Sequence, residues 1–356
     1  MAYFKMLRKI SIKKMFLISI LALSLVGAYQ LTLTLRAAEG AARIKLATLV
    51  PRGTSLHQIL QTMGDKWTKT SNGNVAITIY ADGTMGSEAD MVRRMRAGQI
   101  QAAMLSVGGM SEIEESVRGL QNMPMMFRSL EEVDYIREKL RPKLEKRFLE
   151  KGFVVLFWGD VGWIRFFSKK PAVLPDDFKK LKMFVWSGDN HQIDIMKAAG
   201  YHPVPLEFTD TLMGLQTGLI EAVPAAPFYA LAGQFYNPAP HMLEVNWAPL
   251  VGGTVILKKT WDALSSADRE AFLKAATEAG EQIKTKSRAE SIESVEAMKK
   301  RGLTVHSVSP EAENQWRVFA EGIYPKIRGS IVPADMFDEV QHLLKEYRAS
   351  NEKPKS

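Results

Sequence analysis

The sequence predicts an α/β protein of two lobes, braced by one long helix. Three observations carry this reading. From residue 44 onward strand and helix signals alternate singly, the arrangement of βαβ units on a parallel sheet. The chain has 356 residues, 46% of them hydrophobic and 24% charged, enough for about two ordinary globular cores and unlike disordered or fibrous compositions. A single helical pattern then starts at Ser265 and persists to Arg301, too long for one small lobe.

The elements follow in order. Ile44–Leu49 alternates as a strand, and Ser55 caps a helix running to about Thr70. Asn74–Tyr80 is β-branched and reads as the next strand. Ser87, with Asp90 three residues on, makes a capping-box start for a helix that stops at Gly98. Ile100–Ser106 is a strand, and the charged helix Leu130–Glu150 leads into the apolar strand Phe153–Trp158. A second unit begins there, with strands at Ile164–Ser168, Lys182–Trp186 and Leu219–Val223, and helices at Asp189–Ala199 and Phe208–Thr217. Pro224–Pro227 opens another helix, and Thr254–Leu257 is a strand that returns to the first unit. The long helix, residues 266–301, has 36 residues and would span about 54 Å, with Gly280 as a candidate kink.

The expected division is a leader at 1–38, the first part of lobe I at 43–160, lobe II at 161–252, a return to lobe I at 253–345, and a polar tail at 346–356. The leader carries Lys5, Arg8, Lys9, Lys13 and Lys14, then the apolar run Met15–Val26, the layout of a secretory signal peptide. Val26-Gly27-Ala28 and, less well, Arg36-Ala37-Ala38 fit a cleavage site. Met15–Leu35 is uncharged throughout, so an uncleaved anchor is the alternative. Either way the chain beyond about residue 40 is expected outside the cytoplasm.

Charge and composition exclude several chemistries. Six of the 47 Lys/Arg and none of the 39 Asp/Glu lie in residues 1–38, which leaves 41 basic against 39 acidic residues in the remainder. The net charge of +8 therefore belongs mostly to the leader, and nucleic acid is not an expected partner. With no cysteine, disulfides, thiolate metal sites and cysteine nucleophiles are excluded. The six histidines show no metal-binding spacing, and no phosphate-loop or serine-elbow motif exists, so no metal, cofactor or catalytic group is expected. What stands out is aromatic density in mid-chain, including Trp158, Trp163, Trp186, Phe228, Tyr229 and Trp247. Because strand ends line the ligand crevice of open α/β sheets, some of these tryptophans are candidates to face a ligand.

Five segments then become familiar in order: Tyr80–Glu88, Met95–Ile100, Pro175–Met183, Ala198–Pro205 and Leu215–Glu221. Together they resemble the DctP-type substrate-binding proteins of tripartite ATP-independent periplasmic (TRAP) transporters, over residues 43–340 or so. The resemblance implies a periplasmic-binding-protein-like fold of two α/β lobes around a cleft, no catalysis, a small-molecule ligand, and TRAP permease subunits as partners. A monomer in the periplasm is the expected state. The alternative is a membrane-tethered sensor or scavenger with the same fold and no permease.

In such proteins an arginine in the strand after the Pro175–Met183 segment holds the ligand's carboxylate, and an asparagine follows the Leu215–Glu221 segment. Here Phe184 stands at the first place and Ala225 or Ala226 at the second. Arg165 lies near a second basic contact of the family, one residue out of register. A carboxylate buried beside Phe184 would go uncompensated, whereas an apolar group gains about 25 cal/mol for each Å² buried. The expected ligand is therefore aromatic or hydrophobic, or a monocarboxylate gripped by Arg165. Trp186, two residues past Phe184 on the same strand face, shares its exposure to the cleft. Trp163, Phe228 and Tyr229 complete the expected wall, Tyr229 offering a hydroxyl, and Glu88 caps a helix turn or touches ligand. Lobe closure is expected to bend the chain at Gly159–Gly162 and Gly252–Gly253.

Overall fold

The computed structural model describes residues 42–351. The predicted leader, with both candidate cleavage points and the apolar stretch, lies outside them, as do residues 352–356 of the predicted tail. Among the described residues no helix is long and apolar enough to cross a membrane.

Nine strands form one continuous sheet: β1 (Ala42–Thr48), β2 (Val75–Tyr80), β3 (Ala102–Ser106), β4 (Phe153–Ser168), β5 (Lys182–Trp186), β6 (His202–Leu206), β7 (Ala222–Ala225), β8 (His241–Leu257) and β9 (Thr304–His306). Their order is β2-β1-β3-β8-β4-β7-β5-β6, with β9 paired to β8. The two long strands are the key to the architecture. The C-terminal half of β8 pairs with β3 and with the N-terminal half of β4, which closes lobe I. The other halves pair with each other and with β7 and β9 in lobe II. Both lobes therefore share their middle strands.

The predicted break between Phe153–Trp158 and Ile164–Ser168 is absent, because β4 runs through it. Register shifts at Val155/Phe157, Asp160/Trp163 and Ile164/Phe166 interrupt the two-residue period that a strand reading depends on. The glycine pairs expected to bend lie inside these strands, where Gly159 and Gly252 are register partners.

Helices cover both faces of each half-sheet. On lobe I, α1 (Ser55–Thr70) packs on one face, while α2 (Glu88–Arg96), α3 (Val107–Ser111) and α4 (Leu130–Glu150) take the other. Lobe II carries α5 (Asn190–Ala198) and α6 (Pro227–Ala232). The bracing helix α7 (Ser266–Lys299) has 34 residues, about 51 Å, and its start is fixed by Ser265 accepting from the Asp268 N–H at 3.0 Å. Phe272 and Ile283 pack in the lobe I core and Met298 in the lobe II core, so α7 does brace both lobes. Trp67 stacks on Phe272 with ring centres 4.4 Å apart and donates to its carbonyl at 3.2 Å. Gly280 marks a close crossing rather than a kink: a Cβ there would sit 2.8 Å from Phe157 Cβ.

Where α7 crosses β4, a charged clasp is buried. Asp160, fully shielded from solvent, accepts from Arg288 at 2.8 and 2.7 Å and from Arg137 at 3.2 Å. Asp134 of α4 accepts from both arginines as well, at 2.7–2.9 Å. Burial opposes the Arg288 charge, but the two carboxylates outweigh it and hold its pKa above the ordinary range.

Two C-terminal helices complete the fold, α8 (Pro310–Ile327) on lobe II and α9 (Ala334–Asn351) back on lobe I. The expected polar tail is helical over its first six residues, 346–351, and Arg348 donates to Glu132 at 2.7 Å and to the Met126 carbonyl at 2.7 Å.

Candidate ligand-binding cleft

Between the lobes lies a cavity of about 520 Å³, within the size range of small-molecule sites. Its floor is the crossing point of β4 and β8, where Ile164, Phe166, Ala248 and Leu250 face inward. On the lobe II side, β5 presents Phe184 and Trp186, β7 presents Ala225, and the start of α6 presents Ala226 and Tyr229. Phe184 and Trp186 do share one strand face, their rings edge to face at 5.8 Å. Phe208, which the sequence did not single out, stacks on Trp186 at 5.5 Å and meets Tyr229 edge-on at 5.7 Å. Tyr229 is enclosed: burial, then the nearby Glu88 charge, drives its phenol pKa far above the usual value. Among the described residues its hydroxyl has no hydrogen-bond partner, so it is free for one.

Lobe I supplies the polar wall. Ser87, not Glu88, caps α2, and it does so through a capping box with Asp90. The Glu88 carboxylate turns inward and ties down the start of α3, accepting from the Ser106 N–H at 2.7 Å, its hydroxyl at 2.5 Å and the Gly109 N–H at 2.9 Å. Burial raises its pKa above the ordinary carboxylate value, although these hydrogen bonds oppose the shift. Only glycine fits at 109, where a Cβ would lie 2.7 Å from that of Glu88.

Three predicted residues are not on the wall. Trp163 packs against the lobe I core, and Phe228 faces α7 in the other lobe I cluster. Arg165 also misses the cavity; it is Ile164, one residue earlier, that faces it. Burial lowers the Arg165 pKa, with the charge of Glu244 working against the shift. Ile164 and Phe166, two residues apart, take the cavity face of β4, so Arg165 between them takes the opposite face. Trp158 is likewise a core residue, its indole donating to Glu145 at 3.0 Å.

The cation that does face the cleft is Arg118, in a 3₁₀ turn (Glu115–Leu120) of lobe I. Its guanidinium reaches across to Asp189, the cap of α5 on lobe II, at 3.6 Å, beyond hydrogen-bond length. Among the described residues its side chain makes no hydrogen bond, although it is only 20% exposed. Arg93 also borders the cavity, but it is 68% exposed and already paired with Asp90. No spacing or motif in the sequence marks Arg118. By contrast, Trp316, Phe319 and Ile323 of α8, also on the wall, follow a helical stripe that periodicity alone could have flagged. Among the described residues no group of three His, Asp or Glu could hold a metal ion.

Comparison with known proteins places this geometry. The profile of the DctP family, bacterial extracellular solute-binding protein family 7, matches residues 46–329. The C4-dicarboxylate-binding periplasmic protein DctP of Rhodobacter capsulatus is 24% identical over 250 residues, covering 70% of this chain and 75% of that one. A TRAP periplasmic solute-binding protein of Ralstonia eutropha H16, solved with (S)-2-acetolactate bound, superposes with a TM-score of 0.79 at 19% identity, covering 85% of this chain and 99% of its own. One from Chromohalobacter salexigens, solved with D-glucuronate, gives 0.76 at 18% identity, covering 86% and 100%. The chain, whose two lobes share β4 and β8, thus belongs to the bacterial extracellular solute-binding protein family 7, the DctP family.

Proposed function

We propose that the protein captures a predominantly apolar monocarboxylate outside the cytoplasm and delivers it to TRAP permease subunits, without making or breaking a bond. The observation that carries this reading is the wall itself. Phe184 stands in the cavity where the family resemblance implies an arginine, Ala225 and Ala226 where it implies an asparagine, and Ile164 rather than Arg165 faces inward beside them. An apolar ligand surface gains free energy against such a wall, while a second carboxylate would be buried without a partner. One acid group still has a place. Arg118 offers five donors without a hydrogen-bond partner, in the planar arrangement that suits a carboxylate. The relatives' names speak of acids: acetolactate carries a single carboxylate, while the Rhodobacter capsulatus relative is named for C4-dicarboxylates.

In this reading the protein works as a monomer. Closure would bend β4 and β8 where Gly159 meets Gly252, with ligand favouring the closed form by its differential affinity for it. Native mass spectrometry of the protein as purified, followed by denaturation, tests the assignment. Release of an apolar monocarboxylate is expected. Release of a small dicarboxylate or a sugar acid would overturn the apolar reading and leave the transport role standing.

A further inference from the structure

The cavity has two unlike ends. Its charged lining residues come from residues 88–118 of lobe I and from Asp189 and Glu207 of lobe II; none comes from β4, β8 or α8. Away from the charges the cavity continues beneath α8, where Trp316, Phe319 and Ile323 face Trp247 of β8 and Ile195 and Met196 of α5. Trp247 reaches this position because β8 bulges between Leu243 and Ala248. Trp316 stacks on Phe166 at 5.2 Å, and Trp247 on Phe319 at 6.2 Å.

Two of the polar groups of this end are already engaged elsewhere. The Trp316 indole donates to the Val173 carbonyl at 2.8 Å, and the Tyr201 hydroxyl donates to the Pro175 carbonyl at 3.1 Å. Beside the Trp247 indole N–H, what remains facing the space is mostly carbon. Such a chamber, continuous with a site whose free cation is Arg118, fits one kind of occupant.

We propose that the space beneath α8 is a subsite for the hydrocarbon portion of the ligand, so that the ligand is an elongated amphiphile. Its carboxylate lies at Arg118 and its alkyl or aryl-terminated chain runs under Trp316 and Phe319. The inference rests on the monocarboxylate reading above and adds a chain-length preference to it.

Calorimetric titration of the full protein with butanoate, hexanoate, octanoate and decanoate tests it. Each added methylene should tighten binding by about fourfold until the chamber is full. Ala199→Phe, which adds a ring to the chamber wall, should cost decanoate about tenfold more affinity than it costs butanoate, whereas Arg118→Ala should weaken all four alike. The wild-type series decides the matter even if Ala199→Phe fails to fold. Butanoate binding with no gain on lengthening overturns the chamber and leaves the monocarboxylate reading intact. Succinate binding more tightly than every monocarboxylate overturns both.

Discussion

Two arginine–aspartate contacts bridge separate parts of this molecule, and they differ in kind. At the back, Asp160 and Asp134 are saturated by Arg288 and Arg137 at hydrogen-bond distances, where α7 crosses β4. At the front, Arg118 and Asp189 face each other across the cleft at 3.6 Å with no hydrogen bond between them. A buried, saturated pair is costly to break because either partner alone is left as an uncompensated charge. A loose, partly exposed pair stores little energy and leaves its donors for something else. The same two residue types thus make a fixed joint at the spine and an available hand at the mouth.

The largest test of this contrast is Arg288→Ala. It leaves the fully buried Asp160 with Arg137 as its one remaining arginine, and the expected cost is about 3 kcal/mol of stability, seen as a fall of roughly 6–12 °C in Tm. A Tm within a degree of wild type would mean that the spine clasp is no stronger than a surface pair.

Arg118→Ala should behave in the opposite way. Tm of the ligand-free protein should move by no more than about 1 °C, while carboxylate affinity falls roughly 10- to 100-fold as charge-assisted hydrogen bonds are lost. A titration showing unchanged affinity would remove Arg118 as the anchor.

Asp189→Asn sharpens the comparison further. Asparagine caps a helix as well as aspartate does, so α5 keeps its start. With the competing carboxylate gone, affinity for a monocarboxylate should rise about threefold to tenfold. A fall instead would show that the pair acts as a closing contact rather than a competitor.

The smallest effect concerns a third contact, His241 to His306 at 3.1 Å, which joins β8 to β9. Partial burial, then the neighbouring His306, hold the His241 pKa below the ordinary histidine value. As pH falls below that ordinary value, the unfolded chain takes up a proton that the folded one refuses. Stability is therefore fully present near neutrality and declines toward acid. Between pH 7 and pH 5.5 the Tm of wild type should drop about 1–2 °C more than that of His241→Asn, measured by calorimetry. Equal slopes would assign the pair no role.

What the sequence showed depended on regular periods. Lobe I strands and α1, α2 and α4 were legible because alternation and capping there are undisturbed, down to the Ser87–Asp90 box. The full lengths of β4 and β8 were hidden by their irregular register, and Arg165 was misplaced because its neighbours Ile164 and Phe166 hold the cavity face. Phe184, Trp186, Tyr229 and Glu88 could be nominated through resemblance and strand alternation, and all four line the cavity. Arg118 was illegible: it sits in a short 3₁₀ turn, and only the approach of Asp189 from the other lobe gives it meaning. Trp163 and Phe228 were misplaced because aromatic density does not say which face a ring takes.

The sharing of β4 and β8 also constrains the order of assembly. For a chain that emerges N-terminus first, β3 keeps an unpaired edge until residues 252–256 arrive, and those follow every strand of lobe II except β9. The brace is not available until Lys299. Neither half can be finished as an independent unit, and the decisive pairings join segments far apart in sequence, which makes folding slow. Such a chain stays threadable through a narrow channel for most of its length, then closes both halves almost together.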